Sequence, residues 1–315
     1  MDSCRLWKKT HRYGLIGYPI AHSGSPALFR QAYGGKWPYD LIENPSFEEA
    51  WQAFLEGYDA INITAPFKEK AAARADIQSP EVQAIGAANI AVKTRCGVKV
   101  FNSDYLGVRM LFQEWMEGQW KALCVDWSGA SRCAGQGVGT GEDDRFGVDA
   151  GIGGGTEAER LPRVAVVGYG GAGKAAAAAA KDMGLEVQVF NRSDHGLAFI
   201  HPLTELPQVS ADLLIYSLPM LVPEMNAWMD AIRSGALSGP LCCIEANYRD
   251  PVLAPGGATP DASSQRSLAG SCQHSSDTPA LDGAYCFGQY IPGEKWLLAQ
   301  AVTGYEILTG EKPRF

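Results

Sequence analysis

The chain has 315 residues, of which 46% are hydrophobic and 20% are charged. This length can hold one large domain but is more typical of two. The formal net charge of −8 disfavours nucleic acid and anionic membranes as partners. The hydrophobic tracts are far shorter than the roughly 18 residues of a membrane-spanning helix, so no membrane span is expected.

Strand-like and helix-like segments alternate along the first part of the chain. The predicted strands are 13–17, 39–43, 59–64, 87–94 and 99–102, and the predicted helices are 25–33, 46–57, 68–76 and 105–116. Ser25 and Pro26 suit the N-cap and first position of a helix, and Ser46 with Glu49 forms a capping-box pattern. The strands 87–94 and 99–102 form a predicted hairpin. Such alternation is typical of βαβ units with a mostly parallel sheet.

Two segments interrupt this pattern, at about 120–160 and 254–280, and both are rich in Gly and Ser. Their composition predicts low-complexity insertions or linkers. Between them lie predicted buried strands at 164–167, 212–217 and 241–246 and a helix at 223–235. An apolar helical stripe over 293–310 closes the chain. We predict an α/β protein with two domains: residues 1–106 completed by 293–315, and residues 107–292.

A glycine-rich turn follows the strand at 164–167. Gly168-Tyr-Gly170-Gly171-Ala172-Gly173 matches G-x-G-x-x-G, with a strand before it and a helix after it. The glycines allow a tight turn and bring a pyrophosphate close to the helix N-terminus, whose free N–H groups favour an anion. Gly168, Gly170, Gly171 and Ala172 are therefore predicted to bind a dinucleotide.

The end of the next strand predicts which dinucleotide binds. NAD sites usually have Asp or Glu there for the ribose 2′-hydroxyl. This chain has Asn191, Arg192 and Ser193 instead. A guanidinium can pair with the 2′-phosphate of NADP and stack on the adenine, so we predict NADP(H).

The N-terminal residues and the cysteines predict a cytoplasmic location. The start of the chain carries charges without a following apolar segment, so no signal peptide is expected. The eight cysteines include no CxxC pair and no zinc-ligand spacing, which predicts free thiols in a reducing compartment and no metal site. Asn62-Ile63-Thr64 and Asn191-Arg192-Ser193 read formally as N-glycosylation sites, but they then lack the secretory compartment that a glycan needs.

Several polar residues lie at predicted strand ends, where open α/β sheets bind ligands. They are Ser23, Ser25, Asn62, Thr64, Lys68, Asn89 and Asp104. Their hydroxyl, amide, amine and carboxylate groups suit a small, polyhydroxylated, anionic ligand. Asp104 also precedes the helix 105–116, where it would serve as the N-cap. No spacing argument makes Lys68 and Asp104 neighbours.

Several segments resemble the shikimate dehydrogenase family. They are Gly17-Tyr-Pro-Ile-Ala-His-Ser-Gly-Ser-Pro26, Asn62-Ile-Thr-Ala-Pro-Phe-Lys68, Gly86-Ala-Ala-Asn89, Asn102-Ser-Asp104-Tyr-Leu-Gly107, the glycine turn at 168–173, and Asn191-Arg192-Ser193. Gln300 stands at the position of the family's substrate-binding glutamine. These motifs occur in the family's order and cover most of residues 13–116, 163–250 and 288–310.

The resemblance implies an N-terminal substrate domain, a Rossmann-type NADP domain and a C-terminal helix that returns to the first domain. Lys68 and Asp104 would form the catalytic pair. The substrate-binding residues would be Ser23, Ser25, Thr64, Asn89, Tyr248 and Gln300. The implied reaction is the reversible, NADPH-dependent reduction of 3-dehydroshikimate to shikimate, a step of chorismate and aromatic amino-acid biosynthesis, in a monomer or homodimer.

Two departures from the family pattern bear on the site, besides the mild change of the family's Asn-Thr-Asp to Asn102-Ser103-Asp104. Tyr216-Ser217-Leu218-Pro219 stands where the family usually has Asn-Ala-Thr beside the nicotinamide, and Glu245 stands where it has Asp. Alternative readings are a quinate/shikimate dehydrogenase with relaxed cofactor use, a non-catalytic cofactor-binding homologue, and an amino-acid or folate-type dehydrogenase. The paired serines and Gln300 disfavour the last, and the presence of both Lys68 and Asp104 disfavours a non-catalytic protein.

Overall fold

The computed structural model describes residues 10–120, 161–254 and 286–315. The two predicted Gly/Ser-rich insertions lie outside these ranges, apart from their first residues. The described strands form two six-stranded sheets, one from each part of the chain. Helices follow most of the parallel strands. The predicted α/β class is therefore confirmed.

The first sheet has the strand order β2-β1-β3-β5-β6-β4. Its strands are β1 (Tyr13–Gly17), β2 (Tyr39–Glu43), β3 (Ala60–Ile63), β4 (Ile77–Gln78), β5 (Ile90–Thr94) and β6 (Gly97–Phe101). β1 pairs in parallel with β2 and β3, so the carboxyl ends of these three strands lie at one edge of the sheet. β5 and β6 form the predicted antiparallel hairpin.

Five helices accompany this sheet. They are α1 (Ser25–Tyr33), α2 (Phe47–Gly57), α3 (Lys68–Arg74), α4 (Pro80–Ile85) and α5 (Ser103–Trp115), which continues as a π-helical segment over Met116–Trp120. The α2 helix starts as its sequence predicts, because the Ser46 hydroxyl accepts a hydrogen bond from the backbone N–H of Glu49. Phe47, Trp51 and Phe54 then bury one face of α2 against the sheet.

Two helix starts differ from the prediction. Ser25 is the first residue of α1, with Gly24 as the N-cap. The α5 helix begins at Ser103, because the Asn102 side chain accepts a hydrogen bond from the N–H of Tyr105 at 3.1 Å. Asp104 thus lies in the first turn of α5, and its prediction as the N-cap is wrong. Its carboxylate is left available for another partner.

The second sheet is parallel throughout and has the strand order β12-β11-β10-β7-β8-β9. Its strands are β7 (Arg163–Val167), β8 (Glu186–Asn191), β9 (Ile200–Pro202), β10 (Leu213–Tyr216), β11 (Cys242–Glu245) and β12 (Gln289–Ile291). The helices beside it are α6 (Gly171–Asp182) and α7 (Pro223–Arg233), with a 3₁₀ segment at Leu203–Gln208. The central strands are buried on both faces, which explains their continuous apolar sequence.

The last helix, α8 (Gly293–Thr309), returns to the first sheet as predicted. Tyr305 and Leu308 join a buried cluster with Tyr13 and Phe29. α8 also packs closely on α5, because Gly107 has no side chain at their crossing. A Cβ at position 107 would lie 2.7 Å from the backbone nitrogen of Gln300. The crossing therefore sets where Gln300 lies.

Candidate active site

Lys68 and Asp104 form an ion pair, with 2.7 Å between the Lys68 Nζ and the Asp104 Oδ2 atoms. Lys68 is the first residue of α3, after β3, and Asp104 lies in the first turn of α5. The Asp104 side chain is only 10% exposed and that of Lys68 is 29% exposed, so the pair is shielded but reachable by a ligand. The fold joins two residues that are 36 positions apart.

The pair lies in a cavity of about 580 Å³ between the two sheets. All six predicted substrate-binding residues line this cavity together with the pair: Ser23, Ser25, Thr64, Asn89, Tyr248 and Gln300. Asn62 lines it too, and its side-chain oxygen accepts a hydrogen bond from the Tyr39 hydroxyl at 2.7 Å. Residues from the ends of β1, β3 and β11 and from α8 therefore meet in one place.

The polar groups of the cavity are partly held by one another. The Ser23 hydroxyl donates to the Ser25 hydroxyl at 3.1 Å and accepts from the Ser25 backbone N–H. Asn89 is buried, and its side-chain oxygen accepts a hydrogen bond from the N–H of Ser103 at 2.7 Å. Asn89 therefore fixes the start of α5 with its oxygen and keeps its amide N–H groups for a ligand.

Two buried phenols beside the cavity, those of Tyr39 and Tyr305, stay neutral. Burial raises the pKa of Tyr39 well above its ordinary value, and burial also raises the pKa of Tyr305. Both side chains thus act near neutral pH as hydrogen-bonding and packing groups. Lys68 lines the same cavity and carries an amine that a bound ligand could reach.

The glycine turn joins β7 to α6, and two of its glycines face open space. Gly168 adopts a φ of +98°, in the left-handed region that favours glycine. A Cβ at Gly170 or Gly171 would meet nothing within 4 Å, so the backbone there is open to a phosphate group. Ala172 in the same turn lines the cavity that holds Lys68. The predicted cofactor turn and the predicted substrate residues therefore adjoin one another.

Gly173 is required for the packing of the turn. Its Cβ would lie 2.0 Å from the carbonyl oxygen of Gly168. We expect Gly173→Ala to lower the free energy of unfolding by about 1–3 kcal/mol, because this clash outweighs the roughly 1 kcal/mol that alanine gains in helix propensity. Urea unfolding of both glycine variants checks this. The control Gly171→Ala meets open space and should leave stability unchanged; equal stability of the two variants would contradict the packing role.

The predicted 2′-phosphate residues lie at the end of β8. The Asn191 side chain accepts from the N–H of Tyr169 at 3.4 Å and donates to the carbonyl of Ser193 at 2.9 Å, so it ties the glycine turn to this loop. Arg192 is exposed, and its guanidinium lies 3.7 Å from the sulfur of Met220. Among the described residues it forms no ion pair, which leaves its charge for a ligand.

The segment that departs from the family pattern supports the glycine turn. The Ser217 hydroxyl lies within hydrogen-bonding distance of the carbonyls of Val167, at 3.1 Å, and Gly168, at 3.2 Å. Tyr216 is buried, and its hydroxyl donates to the carbonyl of Met220 at 2.6 Å. The Ser217 contacts hold the loop after β10 against the turn, and the Tyr216 bond closes that loop on the end of β10. The loop is thus ordered, although its sequence differs from the usual Asn-Ala-Thr.

Glu245, the second departure, anchors the loop after β11. It is fully buried, and its carboxylate accepts hydrogen bonds from the N–H groups of Val252 and Leu253 and from the Tyr290 hydroxyl at 2.6–3.1 Å. Burial and this bond to Glu245 raise the pKa of Tyr290, which stays a neutral donor. The loop it anchors carries Tyr248.

Sequence reasoning missed several residues that line the cavity. They are Tyr18, Trp296, Leu297 and Arg249. Trp296 donates its indole N–H to the backbone carbonyl of Asp104 at 3.0 Å and so positions the first turn of α5. Arg249 follows Tyr248 directly, and that adjacency in "EANYRDP" was a usable signal. His22, which was not assigned a function, also lines the cavity.

Two further properties of the described ranges bear on function. No group of three or more His, Cys, Asp or Glu side chains within them could hold a metal ion. None of their helices is long and apolar enough to cross a membrane.

Comparison with known proteins gives matches at the level of sequence. Residues 15–91 match the family model of the shikimate dehydrogenase substrate binding domain. The shikimate dehydrogenase (NADP(+)) of Chromohalobacter salexigens is 42% identical over 92 residues, which are 27% of this chain and 34% of that protein. The enzyme of the same name from Thermus thermophilus is 28% identical over 187 residues, 58% of this chain and 56% of that protein. The chain thus spans between 34% and 56% of the length of these relatives.

Solved structures match over a greater length. Shikimate 5-dehydrogenase from Thermus thermophilus in complex with shikimate has a TM-score of 0.57 at 22% identity, covering 96% of this chain and 94% of that one. Quinate dehydrogenase from Corynebacterium glutamicum in complex with NAD has a TM-score of 0.64 at 18% identity, covering 98% and 96%. These likenesses establish a shared fold. The sequence match over residues 15–91 adds that this part of the chain is similar to the substrate binding domain of shikimate dehydrogenases.

Proposed function

We propose that the chain is a shikimate dehydrogenase that reversibly reduces 3-dehydroshikimate to shikimate with NADPH, in the biosynthesis of chorismate and aromatic amino acids. The observation that carries the proposal is the 2.7 Å ion pair of Lys68 and Asp104 in a cavity that Ala172 of the glycine turn also lines. A proton-transfer group and a dinucleotide turn at one cavity are what reduction of a ketone requires. The relatives named above support the choice of substrate and cofactor.

We assign residues 1–106, completed by 293–315, to a substrate-binding and catalytic domain and residues 107–292 to an NADP-binding domain. The two sheets support this division, since every strand of the first lies before residue 102 and every strand of the second lies between 163 and 291. The packing of α8 against the first sheet supports the return of the C-terminal segment. The cytoplasmic location and the monomeric or homodimeric state remain predictions.

Lys68 is assigned the proton transfer. Reduction turns a ketone oxygen into an alkoxide, which needs a proton donor beside it. The Lys68 ammonium would donate that proton in reduction and recover it in oxidation. Asp104 would orient the amine and keep it charged through the 2.7 Å contact. Because α3 begins at Lys68, the flexible side chain leaves from an ordered backbone.

The remaining polar residues of the cavity are assigned to substrate binding. The Ser23 and Ser25 hydroxyls would donate hydrogen bonds to the substrate carboxylate, with Tyr248 at the same end. Thr64, Asn89 and Gln300 would hold the ring hydroxyls together with Asp104. These residues come from separate elements around one cavity, so they could contact different sides of a small ring.

NADP(H) fits the open backbone of the glycine turn, and when bound it supplies the hydride. Gly168, Gly170, Gly171 and Ala172 would hold the pyrophosphate at the N-terminus of α6. Asn191, Arg192 and Ser193 would hold the adenosine end, with Arg192 pairing with the 2′-phosphate. The exposed guanidinium of Arg192, unpaired among the described residues, supports this assignment.

The proposal is tested by following NADPH absorbance with 3-dehydroshikimate, and NADP⁺ reduction with shikimate. We expect turnover in both directions and a clear preference for NADP(H) over NAD(H). Faster oxidation of quinate than of shikimate would favour the quinate dehydrogenase alternative. A pure protein that is inactive with shikimate, 3-dehydroshikimate and quinate, and with both nicotinamide cofactors, would rule out catalysis of this type.

A further inference from the structure

We propose that Arg249 binds the substrate carboxylate, from the side of the cavity opposite Ser23 and Ser25. This inference rests on the proposed function and extends it, because it assigns the cavity a cation that selects for acids. Arg249 lies in the loop after β11, next to Tyr248, and lines the same cavity as the two serines. The serines lie on the side of the first sheet and Arg249 on the side of the second.

The charge balance of the cavity is the first support. Its acidic and basic lining residues are Asp104, Lys68 and Arg249, apart from His22. Lys68 and Asp104 neutralise each other in their ion pair. The hydroxyls of Ser23 and Ser25 are neutral donors. A ring acid therefore gains net electrostatic attraction mainly from Arg249, which forms no ion pair with any residue of the described ranges.

The second support is that the Arg249 loop is held in place. The guanidinium carbon of Arg249 lies 5.6 Å from the centre of the Tyr248 ring, which is close enough for a cation–π contact. Glu245 anchors both ends of this loop. It is the last residue of β11, where the loop begins, and its buried carboxylate accepts hydrogen bonds from the N–H groups of Val252 and Leu253, where the loop ends. A planar guanidinium on an anchored loop can pair with a carboxylate through two hydrogen bonds.

The position of β11 in the sheet separates Arg249 from the predicted pyrophosphate site. The dinucleotide turn follows β7, and β10 lies between β7 and β11. Two strand spacings place the end of β11 about 10 Å from the turn along the sheet. Arg249 is therefore displaced from the predicted pyrophosphate site towards α8, which carries Gln300.

The test is a functional-group cycle with shikimate and its uncharged methyl ester. We expect Arg249→Met to raise the KM for shikimate about 10- to 100-fold, as loss of a charged hydrogen-bonded pair does. The Ki of the methyl ester as a competitor should change less than about twofold, because the ester lacks the charge that Arg249 binds. Arg249→Lys should raise the KM for shikimate less than Arg249→Met does, and neither variant should change the KM for NADP⁺.

Arg233→Met is the matched control. Arg233 is an exposed arginine of α7 that pairs with Asp230 and does not line the cavity. The Arg233→Met variant should keep the wild-type KM for shikimate, Ki of the ester and KM for NADP⁺. The assignment of Arg249 would be overturned if Arg249→Met weakened the binding of shikimate and of the ester equally, raised only the KM for NADP⁺, or changed none of these constants. In each case wild-type activity would still uphold the proposed function. A wild type that binds no shikimate by calorimetry would contradict both.

Discussion

Lys68→Met should lower kcat for 3-dehydroshikimate reduction by about 10³-fold, while the KM values change much less. Methionine keeps the length of the aliphatic stem but removes the proton donor. It also leaves the mostly buried Asp104 carboxylate without its partner at 2.7 Å, and that uncompensated charge would repel a developing alkoxide. Steady-state kinetics in both directions measure the effect.

Lys70→Met is the control for this experiment. Lys70 lies on the same helix as Lys68, is exposed, and does not line the cavity. It should keep kcat within about twofold of wild type, as a surface substitution away from the site does. Thermal unfolding of both variants separates catalysis from stability. Near wild-type kcat for Lys68→Met would mean that the proton comes from elsewhere, even if the substrate is right.

Arg192→Ala should raise the KM for NADPH about 10- to 100-fold, the expected loss of a bidentate charged contact. The KM for NADH should change little, because NADH has no 2′-phosphate for the guanidinium to bind. The structure leaves Arg192 exposed at the end of β8, with the Met220 sulfur as its nearby contact. Steady-state kinetics with each cofactor at saturating 3-dehydroshikimate give the ratio of the KM for NADPH to the KM for NADH in the wild type and in the variant.

Arg233→Ala serves as the control for loss of a surface positive charge, since Arg233 lies on α7 in an exposed ion pair. The Arg233→Ala substitution should change the KM for NADPH and the KM for NADH equally and only weakly. A similar rise in KM for both cofactors in Arg192→Ala would mean that Arg192 contacts the adenosine generally. A wild type that prefers NADH would show that the cofactor prediction from Arg192 is wrong.

Local sequence determined most of the elements, because turn chemistry and periodicity are properties of short segments. The βαβ unit around Gly168–Gly173 and the hairpin of β5 and β6 lie where the sequence predicts them. The exceptions are short or depend on competing caps. Strands of two or three residues, such as β4, β9 and β12, are too short for periodicity. The start of α5 differs from the prediction because Asn102, rather than Asp104, supplies the cap.

The candidate site divides in the same way. The sequence by itself predicted the dinucleotide turn, because that motif consists of closely spaced glycines between a strand and a helix. Its motifs also named Lys68 and Asp104, but only as residues of a family pattern. Their 2.7 Å contact depends on the packing of α3 and α5 at one edge of the first sheet.

Only the tertiary structure decided what faces the ligand. Gln300 reaches the cavity because α8 crosses α5 at Gly107, nearly 200 residues earlier in the chain. Arg249 lines it from the loop after β11, which the Glu245 carboxylate anchors. No sequence period encodes such contacts, since they depend on how helices and sheets pack over long separations. The sequence thus predicted the role of Lys68, whereas the placement of Arg249 in the same cavity required the tertiary structure.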